Sequence, residues 1–98
     1  MTIEKNLTET TAVLKILGRL DTTTAPELEA AIDGCAAGLK ELVLDCAGVE
    51  YVSSAGLRVI FKAQKLMHAQ GSMKLVHVNE TVMEVLDITG FADILTIE

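Results

Sequence analysis

Two adjacent serines, Ser53 and Ser54, are the side chains in this sequence best suited to chemistry. They stand in the segment Val49–Leu57, beside the apolar periodicity that predicts a helix over Gly56–Gln70. Unpaired backbone N–H groups and the positive dipole end of a helix N-terminus favour a negatively charged group such as phosphate. A serine there can equally be an N-cap that accepts a hydrogen bond from the first helical turn. The spacing leaves both interpretations open.

No other motif predicts catalysis or metal binding. The nucleotide-binding patterns GxGxxG and GxxxxGK[ST] and the zinc pattern HExxH are absent, and the two histidines, His68 and His77, lack a clustered carboxylate or cysteine. A nucleophilic Ser54 would need a general base within hydrogen-bond reach, and the sequence places none there. We therefore expect no catalytic residue, no metal, no cofactor and no enzymatic activity.

Two pairs of reactive side chains also have simple interpretations. Asp21 and Asp45 follow successive predicted strands and could form a carboxylate pair like that of a phosphoacceptor receiver domain. A receiver also needs a lysine and a tight acidic cluster for magnesium, which this sequence does not assemble. Cys35 and Cys46 lack CxxC spacing and are too few for a disulfide framework, so we expect small buried side chains without a redox role.

A basic row follows the serines on the same predicted helix. Arg58, Lys62 and Lys65 are spaced to share its outer face. They could contact an acidic partner surface, or they could be the solvated charged face that exposed helices ordinarily carry.

The composition limits the classes of partner. The 98 residues carry a net charge of −6, which repels nucleic acid and anionic membranes. Only 3% of them are aromatic, too few for platforms on which nucleic-acid bases stack. The N-terminal segment has no apolar run, so we expect neither a secretory signal nor a transmembrane segment, and a cytoplasmic location. A chain of this length that is half hydrophobic predicts one domain over residues 1–98.

The hydrophobic pattern predicts an α/β domain in the order ββαβαβαβ. The predicted elements are strands at Thr2–Thr8 and Ala12–Leu20, a helix from the capping box Thr24/Glu27 to Gly38, a strand at Leu42–Leu44 with a loop from Gly48, a helix at Gly56–Gln70, a strand at Met73–Val78, a helix from Asn79 through Ile88, and a strand at Ile94–Ile97. This alternation indicates a mixed, mostly parallel sheet with helices packed on it. Functional groups gather at the carboxyl ends of parallel strands, which points to the loops Arg19–Thr24 and Cys46–Ala55.

Several motifs at these places match one family. They are Gly18-Arg19-Leu20-Asp21, Pro26-Glu27-Leu28, Leu42-Val43-Leu44-Asp45, Tyr51-Val52-Ser53-Ser54-Ala55-Gly56-Leu57 and the turn Thr89-Gly90-Phe91. The chain resembles the bacterial anti-sigma factor antagonists, the stand-alone members of the STAS domain family. The likeness spans almost the whole chain and agrees with the element order above.

The resemblance implies a phosphorylation switch. Family members carry Asp-Ser-Ser-Gly or Asp-Ser-Ala-Gly here, and a partner that is both serine kinase and anti-sigma factor phosphorylates a serine. The unphosphorylated protein binds that partner and frees the sigma factor, and a PP2C-type phosphatase restores this form. Ser54 matches the phosphorylated serine, whereas Ser53 replaces the usual aspartate and is the second candidate. Asp21 matches the family's loop aspartate near this serine, which implies that it contacts the partner. With the neighbouring loop and helix residues and the start of the basic row, the expected partner-binding residues are Asp21, Thr22, Thr23, Ser53, Ser54, Gly56, Arg58 and Lys62.

A second function stays open from the sequence. Related STAS domains occur as sensory modules and transporter tails, so the chain could instead bind a small molecule or a nucleotide. A large apolar pocket with convergent polar groups would favour that alternative. The sequence specifies neither the sigma factor nor whether the protein self-associates.

Overall fold

The computed structural model describes all 98 residues as a four-stranded sheet with three α-helices. In chain order the elements are β1 (Thr2–Leu7), β2 (Thr11–Leu20), α1 (Ala25–Asp33), β3 (Glu41–Val52), α2 (Ser54–Gln70), β4 (Ser72–Val76), α3 (Glu80–Thr89) and a 3-10 turn (Phe91–Asp93). The strands lie in sequence order, with β1 antiparallel to β2 and the other neighbours parallel. The predicted mixed, mostly parallel α/β architecture is confirmed.

Alternation along the strands creates the core. On β2 the side chains of Ala12, Leu14 and Ile16 are fully buried, while Lys15 between them is exposed. Because successive side chains of a strand point to opposite faces, one face of the sheet supplies the core and receives the helices. Leu28 of α1 and Met67 of α2 are fully buried in the same cluster. The helices are thereby fixed against the sheet, and their N-termini are held at the carboxyl ends of the strands.

The structure corrects three predicted boundaries. Helix α1 ends at Asp33 with Gly34 as its C-cap, so Gly38, with φ +77, belongs to the following turn. Strand β3 continues to Val52, where a loop was predicted, because residues after Gly48 keep pairing with β2. The last predicted strand is reduced to one parallel bridge between Leu75 and Ile97.

The predicted start of the third helix is confirmed in detail. The Asn79 side chain accepts a hydrogen bond from the Val82 N–H at 2.8 Å and so forms the N-cap of α3. Its amide nitrogen also donates to the Val49 carbonyl at 2.7 Å. Asn79 therefore attaches the helix to β3 as well as starting it.

Candidate functional site

The ends of β2 and β3 form the rim on which the candidate residues meet. Leu20 and Val52 are partners in the parallel register, and the Ser53 N–H donates to the Leu20 carbonyl at 2.8 Å. Asp21 and Ser53 directly follow these neighbouring strands and therefore lie at the same edge of the sheet. We call the surface formed by residues 21–24 and 53–54 the serine rim.

The two serines have different environments. Ser53 is the N-cap of α2, is half-buried, and accepts a hydrogen bond from the Gly56 N–H at 3.4 Å. Ser54 is the first residue of the helix, is exposed, and makes no side-chain hydrogen bond within the chain. Both interpretations of a serine at a helix start therefore apply, one to each residue. Only the Ser54 hydroxyl is free to react without loss of a helix cap.

Gly56 fixes how closely the helix approaches the rim. It is buried, and a Cβ atom added to it would lie 2.6 Å from Leu20 Cγ and 3.0 Å from the Leu20 carbonyl oxygen. Only glycine permits this approach, because real Cβ atoms do not come so near to other heavy atoms. Gly56 therefore positions the serines and presents no side chain to a partner.

Asp21 organises the loop beside the serines. Its Oδ1 accepts hydrogen bonds from the Thr23 hydroxyl at 2.7 Å and from the Thr23 and Thr24 N–H groups at 3.0 and 3.2 Å. The Thr23 hydroxyl holds the pKa of the Asp21 carboxyl below its ordinary value, against a smaller opposing effect of desolvation. The rim thus carries a fixed negative charge, with Thr22 and Thr23 exposed beside it.

The predicted capping box at the start of α1 is wrong. The Thr24 hydroxyl donates to the Arg19 carbonyl at 2.7 Å and accepts from the Asp21 N–H at 2.9 Å, and it makes no hydrogen bond into the helix. The turn that Asp21 closes therefore uses the hydroxyl that the pattern assigned to the cap. Thr24 is still the N-cap residue of α1, because its carbonyl accepts from the Leu28 N–H, but its side chain shapes the rim.

The basic row is divided between different contacts. Arg58 is exposed one helical turn beyond Ser54. Lys62 pairs with Glu29 of α1 at 3.4 Å, about 12 Å along the helix from Ser54 at the usual rise per residue. Lys65 lies over the Phe61 ring, 5.5 Å from its centroid. Of this row, Arg58 alone borders the serine rim.

A cationic stack at the rim was not found by sequence reasoning. The Arg19 guanidinium lies 4.5 Å from the centroid of the Tyr51 ring, and its Nε is 3.9 Å from Asp21 Oδ2. Arg19 is 60% exposed at its side chain and Tyr51 39% overall. Residues 19 and 51 are opposite each other only because β3 bulges, and no local sequence signal reports that register.

The other candidate chemistries lie elsewhere. Asp45 is opposite Lys15, about 16 Å before the end of β2 at the usual strand rise, so it forms no pair with Asp21. Its Oδ1 is 3.0 Å from His77 Nδ1, and this contact lowers the pKa of Asp45. Burial raises the pKa of the Cys46 thiol to about 12 and raises that of Cys35, so neither thiol ionises readily.

Neither cavities nor metal ligands mark another site. No three His, Cys, Asp or Glu side chains lie close enough together to hold a metal ion. None of the helices combines the length and the apolar composition that a membrane span needs. A void of about 10 Å³ lies between α1 and α2 beside Val59. An open groove of about 430 Å³ lies along the distal half of α2, lined by Phe61, Gln64, Lys65, His68 and Ile94. Both are away from the serine rim.

Sequence comparisons find relatives of this chain among known proteins. The sequence profile of the STAS domain matches residues 2–98. The anti-sigma-B factor antagonist of Bacillus subtilis is 33% identical over 85 residues, which cover 86% of this chain and 78% of that protein. BtrV of Bordetella bronchiseptica, named as a candidate anti-sigma factor antagonist, is 39% identical over 72 residues. That match covers 72% of this chain and 60% of the length of BtrV.

Solved structures share the fold at lower sequence identity. The anti-sigma factor antagonist SpoIIAA in its unphosphorylated form has a TM-score of 0.85 at 17% identity, over 99% of this chain and 88% of SpoIIAA. The phosphorylated form of SpoIIAA from Bacillus has a TM-score of 0.76 at 16% identity, over 99% of this chain and 91% of that one. With the profile match over nearly the whole chain, these findings establish that the chain belongs to the STAS domain family.

Proposed function

We propose that this protein is an anti-sigma factor antagonist controlled by phosphorylation of Ser54. Its unphosphorylated form binds an anti-sigma factor that has serine kinase activity, and this binding frees the sigma factor. The observation that carries the proposal is the free, exposed Ser54 hydroxyl at the start of α2, beside the Asp21 loop. The relatives named as anti-sigma factor antagonists, one of them 33% identical, support the class of partner.

The surroundings of Ser54 suit a phosphate that leaves the fold intact. A phosphoserine adds about −1.5 to −2 charges at neutral pH, and the N-terminus of α2 stabilises negative charge by about 0.3–1 kcal/mol. The first turn of α2 contains no acidic residue that would oppose the phosphate. The shared fold of SpoIIAA is known in both a phosphorylated and an unphosphorylated form, so it tolerates this modification.

Phosphorylation acts on binding instead. A partner that covers the serine rim must remove water from Ser54 and from the ionised Asp21. Desolvating a new dianion, or facing it with like charge, costs several kcal/mol, roughly a hundredfold or more in affinity. The phosphorylated protein therefore leaves its partner. A PP2C-type phosphatase restores the binding form, and the exposure of Ser54 makes the phosphate accessible to it.

The experiment uses the serine-kinase anti-sigma factors of the source organism, each purified and mixed with this protein. We expect one of them to bind the protein without ATP and, with ATP, to transfer one phosphate that peptide mapping by mass spectrometry assigns to Ser54. Ser54→Ala should retain binding and accept no phosphate. Ser53→Ala is the matched control and should still be phosphorylated.

Two results would contradict the proposal in different ways. If no anti-sigma factor binds the wild-type protein, the proposed function is wrong. If one binds but the phosphate maps to Ser53, the residue assignment is wrong and the switch itself stands.

A further inference from the structure

Two bulges in β3 shape the surface next to the serine rim. Between the pairs Lys15/Asp45 and Leu20/Val52, β2 advances by five residues while β3 advances by seven, with register shifts before Leu17 and before Arg19. Gly18 at the second shift has φ +109, which side chains rarely permit. Bulges are rare between parallel strands, and they occur beside functional sites, where they redirect side chains.

The bulges bring Arg19 and Tyr51 opposite each other. Leu20 and Val52, the next residues on the two strands, are buried in the core. Because neighbouring side chains of a strand alternate between faces, Arg19 and Tyr51 point away from the helices. They form an exposed patch on that face of the sheet, two residues along the strands before Asp21 and Ser53 of the serine rim. Tyr51 is the only tyrosine of the chain.

The guanidinium of this patch is held in place but incompletely satisfied. The Tyr51 ring supports one side of it at 4.5 Å, and Asp21 lies 3.9 Å from its Nε. Arginine has five N–H donors, none of the Arg19 donors makes a hydrogen bond within the chain, and 60% of the side chain is exposed. Such an arginine has already lost part of the rotamer freedom that binding would remove, which favours a partner.

Its chemistry suits an anion with two oxygen acceptors, which on an unmodified protein partner is a carboxylate. A planar guanidinium on an aromatic ring binds a carboxylate through two parallel hydrogen bonds, and arginine and tyrosine are enriched among the residues that dominate binding energies. We propose that Arg19 and Tyr51 anchor an aspartate or glutamate side chain of the anti-sigma factor. This inference rests on the proposed function and adds to it a specific partner group.

The anchor also links recognition to the switch. The partner's carboxylate would lie beside the rim that carries Ser54. A phosphate on Ser54 has the same sign of charge as that carboxylate and the opposite sign to Arg19, so it repels the first and attracts the second wherever they come within the screening length of about 8 Å at physiological salt. Phosphorylation would thus weaken the contact with Arg19 and Tyr51, in addition to the cost of desolvating the phosphate when the partner covers the serine rim.

The test measures affinity of the unphosphorylated variants for the anti-sigma factor that binds the wild type, by titration calorimetry. We expect Arg19→Glu to weaken binding at least about tenfold and Arg19→Lys to weaken it severalfold, since lysine lacks the paired donors. Tyr51→Ala should weaken binding severalfold, and more than Tyr51→Phe does, since the ring supplies the support. Lys15→Glu is the matched control, an equal charge reversal on the same strand face, and should change affinity less than about twofold.

The outcomes separate the two proposals. If no anti-sigma factor binds the wild type, the proposed function fails, and the anchor with it. If the wild type binds but Arg19→Glu and Lys15→Glu have equal effects, or Arg19→Lys matches the wild type, the anchor alone is refuted. Circular dichroism of each variant checks that the fold is retained, and a variant that unfolds is replaced by Arg19→Gln, for which we also expect weaker binding.

Discussion

At the scale of single residues, the two serines differ in their structural roles. The Ser53 hydroxyl caps α2, whereas the exposed Ser54 hydroxyl makes no hydrogen bond within the chain. The family pattern has aspartate at position 53, and aspartate is also an N-cap residue, so serine preserves the same structural role. The departure from the pattern therefore changes the charge beside Ser54 more than the start of the helix.

Alanine substitutions should separate these roles. We expect Ser53→Ala to lower the free energy of unfolding by about 0.5–1 kcal/mol, the low end for a lost cap because the hydrogen bond is long at 3.4 Å. Ser54→Ala should change it by less than about 0.5 kcal/mol, as is usual for exposed positions. Urea unfolding of both variants measures this difference. Equal losses would mean that Ser54 also contributes to the cap.

The hydrogen bonds of Asp21 and Asp45 make stability depend on pH. The Thr23 hydroxyl lowers the pKa of Asp21, and His77 lowers that of Asp45. A carboxyl whose pKa is lower in the folded protein contributes stability above its ordinary value of 3.8, and that contribution disappears as the pH falls through the lowered pKa. We therefore expect stability to fall in this acid range as the two groups take up protons.

Asparagine variants test the assignment. Asp21→Asn and Asp45→Asn each remove one titrating group and keep an oxygen acceptor, so each should flatten the acid limb of the stability curve. Urea unfolding over a pH series gives the slopes, and Glu80→Gln provides a control at an exposed carboxyl. A variant whose slope equals that of the wild type would show that the substituted group does not govern the acid limb.

At the scale of elements, local patterns predicted what local contacts determine. The α2 apolar stripe and the stop at Gly71 are set by near neighbours, and Asn79 caps α3 within its own first turn. The length of β3 depends on pairing with β2 across two bulges, so Gly48 and the polar residues after it resembled a loop. The single bridge at Ile97 likewise depends on β4, which no local pattern reports.

The same distinction applies to the candidate site. Asp21 and Ser54 were predicted to lie near each other because both follow strand ends, which is a rule of topology. Arg19 and Tyr51 are 32 positions apart in sequence and are neighbours only after the register shift, so the stack required the structure. Thr24 satisfied a cap pattern locally, but its hydroxyl donates to the Arg19 carbonyl and accepts from the Asp21 N–H instead of capping α1.

The connection of α3 to β3 through Asn79 gives a prediction at this scale. Asn79→Ala removes both the N-cap and the hydrogen bond to Val49, and we expect a loss of about 1–3 kcal/mol. Asn79→Asp keeps the cap but removes the donor that contacts the Val49 carbonyl. Its stability should lie between those of the wild type and Asn79→Ala in urea unfolding. An aspartate variant as unstable as the alanine variant would mean that the contact with Val49 dominates.

At the scale of the whole molecule, the candidate site lies apart from the residues that stabilise the fold. The core lies on one face of the sheet, and the serine rim lies at the carboxyl ends of the strands, outside the buried cluster. Residues of the serine rim can therefore change charge without changing core packing. The net charge of −6 is also distributed unevenly, because α2 contains no acidic residue while α3 carries Glu80, Glu84 and Asp87.

This separation predicts that phosphorylation affects stability little and binding strongly. We expect stoichiometric phosphorylation of Ser54 to change the free energy of unfolding by less than about 1 kcal/mol, because the favourable helix N-terminus opposes the added self-repulsion of an acidic chain. The same modification should weaken binding to the anti-sigma factor roughly a hundredfold or more. Salt screens the repulsion between the phosphate and like charges of the partner, so added salt should recover part of the lost affinity. Urea unfolding and calorimetric titration of the two forms measure these quantities. If phosphorylation instead lowers the free energy of unfolding so much that the loss of folded protein accounts for the loss of binding, the proposed switch at the serine rim is contradicted. The switch would then act through unfolding.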